Sequence, residues 1–386
     1  MMTDWDDFGV SIFTRMTEES LQHKAINLAQ GFPDFDPPKE ILEEASSALF
    51  NGFNQYAPSF GLLPLREAIA HYVAKRYQLS YSPKDEVSVF SGASEAIFSV
   101  IMALCQPGDE VITFEPFYDI YQGCAFAAKA TLKTVTLQPP TWEFDLTELE
   151  KAITPKSKIL ILNTPHNPTG KIFSLEELQS IAKLAEKHNL TVVTDEVYEE
   201  LYFEPYVHSS FAALPGMKER TIIISSAAKT YSVTGWKIGS ALGPKDLIRR
   251  MRIVHQHSVF CSATPMQKAL IKAYELPESF YENLRKQYTE RKNLLLSALT
   301  KKGYHCEDPQ GTYFIVAKYS EFSSLDDLEF SLYLTRQVGV SCIPLSTFYL
   351  DKSKARKLQY IRFCFAKNLT TLEAAAGKLT ANYSAS

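Results

Sequence analysis

Residues 221–237 read TIIISSAAKTYSVTGWK, an apolar β-branched run followed three residues later by Lys229 and then by a second lysine, Lys237. Two basic residues flanked by polar ones usually belong to a solvated face. Here TIIISS has the pattern of a buried strand, and the segment after it, GWKIGSALG, is rich in glycine and apolar residues. A lysine at the end of a buried strand needs a partner.

Similar runs lie on both sides: VSVF at 87, EVITF at 110, KILILN at 158, TVVTDEV at 191 and SALG at 240. Several are apolar at both parities, as strands are when crossover helices cover both faces of a sheet. The alternation predicts an α/β fold with a large domain built on a mostly parallel sheet flanked by helices. Between the first two runs, Ile97, Val100, Ile101 and Leu104 fall at helical spacing, with the helix start near SGASE at 91–95. After about residue 280 the pattern changes to a long charged helix, 280–302, then the strand-like TYFIVAKYS, the helical LDDLEFSLYLTRQV and the strand-like KLQYIRFCF. This predicts a smaller α+β domain. The expected division is an N-terminal segment, 1–38, packing on the small domain, a large domain, 39–285, and the small domain itself, 286–386.

The 386 residues, 45% of them hydrophobic, suffice for a large core. With 40 basic and 44 acidic residues the formal charge is −4, which offers no bulk attraction to nucleic acid or to an anionic membrane. The start, MMTDWDDFGV, is acidic and lacks the basic and apolar regions of a signal peptide, so the cytoplasm is expected. Cys105, Cys124, Cys261, Cys306, Cys342 and Cys364 lie far apart without a C-x-x-C pair, and are read as buried free thiols.

In parallel α/β sheets, ligands bind outside the carboxyl ends of the strands. Five run ends carry chemistry here: SGASE, EPFYD, NTPHNPTG, TDEVY and SSAAK. A lysine, an aspartate, a tyrosine, an asparagine and a glycine-containing helix start suit a phosphorylated aromatic aldehyde held as a Schiff base. The order of these motifs, with NLAQGFPDF, NQYAPSFG, KTYSVTGWKIG and IRFCFAK, resembles the class I/II aminotransferases of the PLP-dependent transferase fold type I. The likeness extends over nearly the whole chain. It is strongest to the kynurenine and glutamine transaminase-like branch and to bacterial methionine aminotransferases.

The resemblance implies pyridoxal 5'-phosphate as cofactor and a set of roles. Lys229 matches the Schiff-base lysine, Asp195 the carboxylate on the pyridine nitrogen, and Tyr198 and Asn167 the donors to the phenolic oxygen. Tyr118 matches the stacking ring. Gly92, Ala93, Ser94, Ser226 and Lys237 match the phosphate site, with Tyr56 reaching it from a neighbouring subunit, which implies a homodimer. Family members often carry arginine at the position of Lys237 and a small hydroxyl residue where Ala228 stands. Arg362, an arginine in an apolar run, matches the clamp on the substrate carboxylate, and Gly31 resembles a backbone contact to the same group. Without the resemblance, a lone Asp195 reads as a helix cap, Tyr118 as core and Arg362 as half of an internal salt bridge.

The side-chain pocket is expected from Ile12 and Phe13, where kynurenine-acting relatives place tryptophan, and from Phe260 of the partner, followed by Cys261 where such relatives carry histidine. An apolar pocket without a second arginine favours methionine, with leucine, phenylalanine, tyrosine and glutamine behind it. The expected reaction is ping-pong transamination with a 2-oxo acid. A cysteine-conjugate or cystathionine β-lyase on the same scaffold is the alternative, and a cofactor-sensing regulator is disfavoured by the short acidic start. Three further patterns are set aside. His255 and His257 alternate like metal ligands on a strand but lack a third ligand. Gly235, Gly239 and Gly243 repeat every four residues without a membrane-length apolar span. PTGK at 168–171 lacks the upstream glycine of a P-loop.

Overall fold

The computed structural model describes residues 4–381 and 383; positions 1–3 of the acidic start, and 382 and 384–386 of the C-terminal segment, lie outside those residues. In chain order the strands are β1 (Ile26–Asn27), β2 (Val87–Phe90), β3 (Glu110–Glu115), β4 (Thr131–Thr136), β5 (Ser157–Asn163), β6 (Thr191–Asp195), β7 (Thr221–Ser226) and β8 (Gly239–Leu242). They continue with β9 (His305–Cys306), β10 (Phe314–Lys318), β11 (Val340–Ser341), β12 (Ile343–Pro344) and β13 (Tyr360–Cys364).

Among the described residues, a seven-stranded sheet runs in the order β2-β8-β7-β6-β5-β3-β4. The pairs β7·β6, β6·β5, β5·β3 and β3·β4 are parallel, and β8 alone runs antiparallel to both its neighbours. Because β5, β6 and β7 run in parallel register, Asn163, Asp195 and Ser226 all emerge at one edge. The middle strands are buried on both faces, as the unbroken apolar runs predict. One apolar layer, with Phe90, Ile97, Val100 and Ile101, and another, with Phe114, Leu160, Leu178 and Ile181, pack on the sheet.

β4 is not among the expected strands because TLKTVT, at the sheet's edge, has only two apolar residues, Leu132 and Val135, three apart, and so neither an apolar run nor a strict alternation. The helix after β2 spans Ala93–Leu104, as the spacing predicts. The long charged helix spans Glu278–Lys302; its Tyr281 packs with the helices before residue 274, and its Tyr288, Leu295 and Leu299 pack with β10 and β13. β12, β13, β10 and β9 form a second, antiparallel sheet, and β1 pairs with β11.

Two readings are corrected. His255 and His257 lie on the helix Lys245–Ser258, not on a strand, and His255 is fully buried with its Nδ1 2.9 Å from Glu95. Among the described residues no group of three or more His, Cys, Asp or Glu is placed to hold a metal. The six cysteines are free, but Cys261 and Cys306 are only partly buried. Among the same residues, no helix is long and apolar enough to cross a membrane.

Candidate active site

A cavity of about 220 Å³ opens at the carboxyl edge of β5–β7, lined by residues from most of the chain's length. Gly92, Ala93, Ser94, Tyr118, Asn167, Asp195, Tyr198, Ser226, Lys229, Lys237, Arg362, Gly31 and Phe13 all reach it, together with Ala228.

Lys229 sits in the short helix Ala227–Thr230 that follows β7, capped by the Ser226 side chain accepting from the Ala228 N–H at 3.3 Å. Its Nζ donates to Gly31 O at 3.5 Å. Burial, with Lys237 and Arg362 adding like charge, brings its pKa down to about 8. Asp195 ends β6; its Oδ2 accepts the Tyr121 hydroxyl at 2.6 Å, while Oδ1 is buried without a partner. Burial raises its pKa to about 6.

The N-terminus of the helix Ala93–Leu104 faces Lys237. Gly92 has φ +84°, and a Cβ there would lie 3.1 Å from Lys237 Nζ. Lys237 itself is left-handed, φ 54°. On β8, Gly239 lets this turn approach: a Cβ at 239 would meet Ala93 N at 2.5 Å and Gly92 C at 2.6 Å. Free N–H groups, a lysine and two serines make an anion site.

Asn167 is fixed by its backbone N–H on Asn163 Oδ1 at 2.7 Å, and its own Oδ1 accepts from Arg362 Nη1 at 2.8 Å. Arg362 Nη2 donates to Ala29 O at 3.1 Å, and Nε has no partner. Gly31 lets the chain pass close to Phe314, whose ring a Cβ there would meet at 2.8 Å. Burial lifts the Tyr118 hydroxyl to about 12 and the Tyr198 hydroxyl higher still.

Pyridoxal 5'-phosphate fits these residues. An unbonded buried carboxylate oxygen awaits a donor, a cationic turn awaits an anion, and the Tyr118 ring lines the space between. Ile12 is not brought to the cavity; it packs on the apolar layer containing Leu160 and Phe348. Tyr56 and Phe260 also lie away from it, 82% and 45% exposed and edge-to-face at 5.2 Å. Sequence reasoning missed Tyr121, Phe314 and Phe348. Tyr121 carried a signal, one helical turn after Tyr118 in FYDIY.

The family model for aminotransferase class I and II matches residues 23–379. The chain is a class I and II aminotransferase. The aminotransferase is 38% identical over 371 residues to the methionine aminotransferase of Escherichia coli, covering 96% of this chain and 95% of that one. It is 38% identical to the kynurenine–oxoglutarate transaminase of Dictyostelium discoideum, covering 96% and 94%. The solved N-succinyldiaminopimelate aminotransferase of Mycobacterium tuberculosis superposes with a TM-score of 0.95 at 39% identity, covering 98% of this chain and 99% of that one. Its fold is thus that of the PLP-dependent aminotransferases, its cofactor is pyridoxal 5'-phosphate, and its substrates are amino acids and 2-oxo acids.

Proposed function

We propose that this aminotransferase takes its amino group from methionine, and more slowly from other apolar or aromatic amino acids or glutamine, and passes it to a 2-oxo acid by a ping-pong route. The observation that carries the proposal is the cavity wall: Phe13, Ile97, Val197 and Phe314 give apolar surface beside a single arginine, Arg362. A thioether packs well on such a wall, and a second carboxylate would be desolvated there without a cation. The similarity to the methionine enzyme of Escherichia coli supports the same reading.

The roles follow from the residues. Asp195 Oδ1 would accept from the ring nitrogen, Tyr118 would cover the ring, and Tyr198 and the Asn167 amide would donate to the phenolic oxygen. The N–H groups of Ala93 and Ser94, on the turn that Gly92 opens, with the Ser94 and Ser226 hydroxyls and Lys237 Nζ, would hold the phosphate. When bound, the cofactor supplies an aldehyde that bonds amines and a ring that takes up electrons from the substrate's α-carbon. Arg362 and Gly31 orient the substrate by its carboxylate. Lys229 Nζ, with its pKa near 8, removes the α-proton as general base and hands it back on the other side of the transfer.

In the same proposal the division at 1–38, 39–285 and 286–386 stands, and the protein is a cytoplasmic homodimer. The exposed Tyr56–Phe260 pair supports the dimer, since both rings lie outside this chain's own cavity and are free to enter a partner's. The test is a half-reaction screen that follows the absorbance of the bound cofactor as single amino acids are added. Methionine is expected to convert it about 10- to 200-fold more efficiently than aspartate. A preference for aspartate would overturn the substrate assignment, and a Lys229→Ala protein converting at the wild-type rate would overturn the mechanism.

A further inference from the structure

Arg362 is among the largest fully buried side chains, yet its hydrogen bonds go only to neutral groups, Asn167 Oδ1 and Ala29 O, and its Nε goes unbonded. A buried cation without a counter-ion is costly and needs another source of negative potential. Three rings surround it. The guanidinium carbon lies 3.8 Å from the Phe314 ring centroid, 4.9 Å from that of Phe348 and 5.6 Å from that of Phe13.

The rings come from three distant segments: β10, the turn Leu345–Phe348 and the helix Ile12–Gln22. Phe13 and Phe348 also meet edge to face at 6.1 Å. Phe348 is anchored by its backbone, its carbonyl accepting the Phe117 N–H at 2.7 Å, next to Tyr118. Phe13 and Phe314 line the cavity; Phe348 is fully buried behind them.

A fixed aspartate or glutamate would also stabilise the arginine, but it would occupy the fork that a substrate carboxylate needs. Aromatic faces offer negative potential without competing for those donors. We propose that Phe348 is a positioning residue for carboxylate recognition: with Phe314 and Phe13 it forms an aromatic box that keeps the unpaired Arg362 guanidinium in place until a substrate carboxylate arrives. This rests on the reading of Arg362 as the carboxylate clamp.

The test uses the full, cofactor-loaded chain. Phe348→Leu keeps most of the apolar volume and removes the π face. KM for methionine and for the 2-oxo acid is expected to rise about tenfold. kcat is expected to stay within about twofold, the pattern of lost ground-state binding. The half-reaction of the amine that carries methionine's side chain but no carboxylate is expected to be unchanged. On an Arg362→Lys background the same substitution is expected to add much less, as coupled residues do. Phe348→Met, of similar volume and likewise without a π face, is read in the same way should Phe348→Leu not fold.

Equal losses with and without the carboxylate, a fall in kcat at constant KM, or additive effects in the cycle would overturn the box alone. An Arg362→Lys enzyme with an unchanged KM for methionine would overturn the clamp and the box together.

Discussion

Asp195 and the three glutamates that follow it in DEVYEE answer the same problem in opposite ways. Asp195 leaves one buried oxygen unbonded at the cavity. Glu196, Glu199 and Glu200, equally buried, have every carboxylate oxygen bonded. Glu196 takes Ser210 at 2.9 Å and His208 at 3.0 Å; Glu199 takes Ser225 and, at 3.0 Å, Tyr77; Glu200 takes Tyr72, Arg76 at 2.8 Å and Arg285 at 2.7 Å. The Ser225 bond ties this cluster to β7, four residues before Lys229. A satisfied buried carboxylate builds architecture, and an unsatisfied one marks where a ligand belongs.

The sharpest way to break this contrast is to neutralise one acid of each kind. Asp195→Asn is expected to cut turnover about 10²- to 10³-fold, with the melting temperature unchanged or raised, because a buried charge without a full set of partners has been removed. Glu200→Ala is expected to do the reverse. It leaves the Tyr72 hydroxyl without its acceptor and Arg76 and Arg285 with Glu278 as their remaining carboxylate, and costs about 1–3 kcal/mol in chemical denaturation, while the protein that remains folded keeps its KM for methionine. Matching losses of stability in the two variants would dissolve the distinction.

Gly239→Ala probes the cavity side without touching a polar group. The added methyl pushes on the backbone of Gly92 and Ala93, and the affinity of the apoprotein for pyridoxal 5'-phosphate, read by fluorescence titration, is expected to fall about tenfold. The smallest effect concerns Lys229. Its amine is nucleophilic when neutral, so a pKa near 8 makes the rate of cofactor capture rise with pH and then level off. From pH 8 to pH 9 the gain is expected to be at most about twofold, where a lysine of ordinary pKa would gain about tenfold.

Much of this was legible in the sequence because the chemistry sits at strand ends, and buried strands announce themselves as apolar runs. Asn163, Asp195 and Ser226 each close such a run. The resemblance then assigned roles to residues that spacing alone left open, above all Arg362 and Asn167, which lie far apart in the chain and meet at 2.8 Å. What could not be read were side chains whose roles arise from packing between distant segments. Phe348 closes an unremarkable turn, Leu345–Phe348, and nothing local ties it to Phe13 or Arg362. The pair His255 and His257, set aside as a metal site, still reads in the sequence as part of a strand, where a two-residue spacing shares one face; on the helix Lys245–Ser258 it points to nearly opposite sides, His255 buried against Glu95 and His257 exposed.

The register of β6 carries a consequence for how this gene can drift. Asp195 and Glu196 are adjacent, yet one faces the cavity and the other the His208–Ser210 side. Deleting a single codon within Thr191–Asp195 would bring Glu196 to the cavity and Val197 to the His208–Ser210 side, and inserting one would bring Thr194 to the cavity and Asp195 to that side. The edge strand Thr131–Thr136, open on one side, is bound by no such rule. Length variants of this lineage should therefore gather at that edge and spare the centre of the sheet.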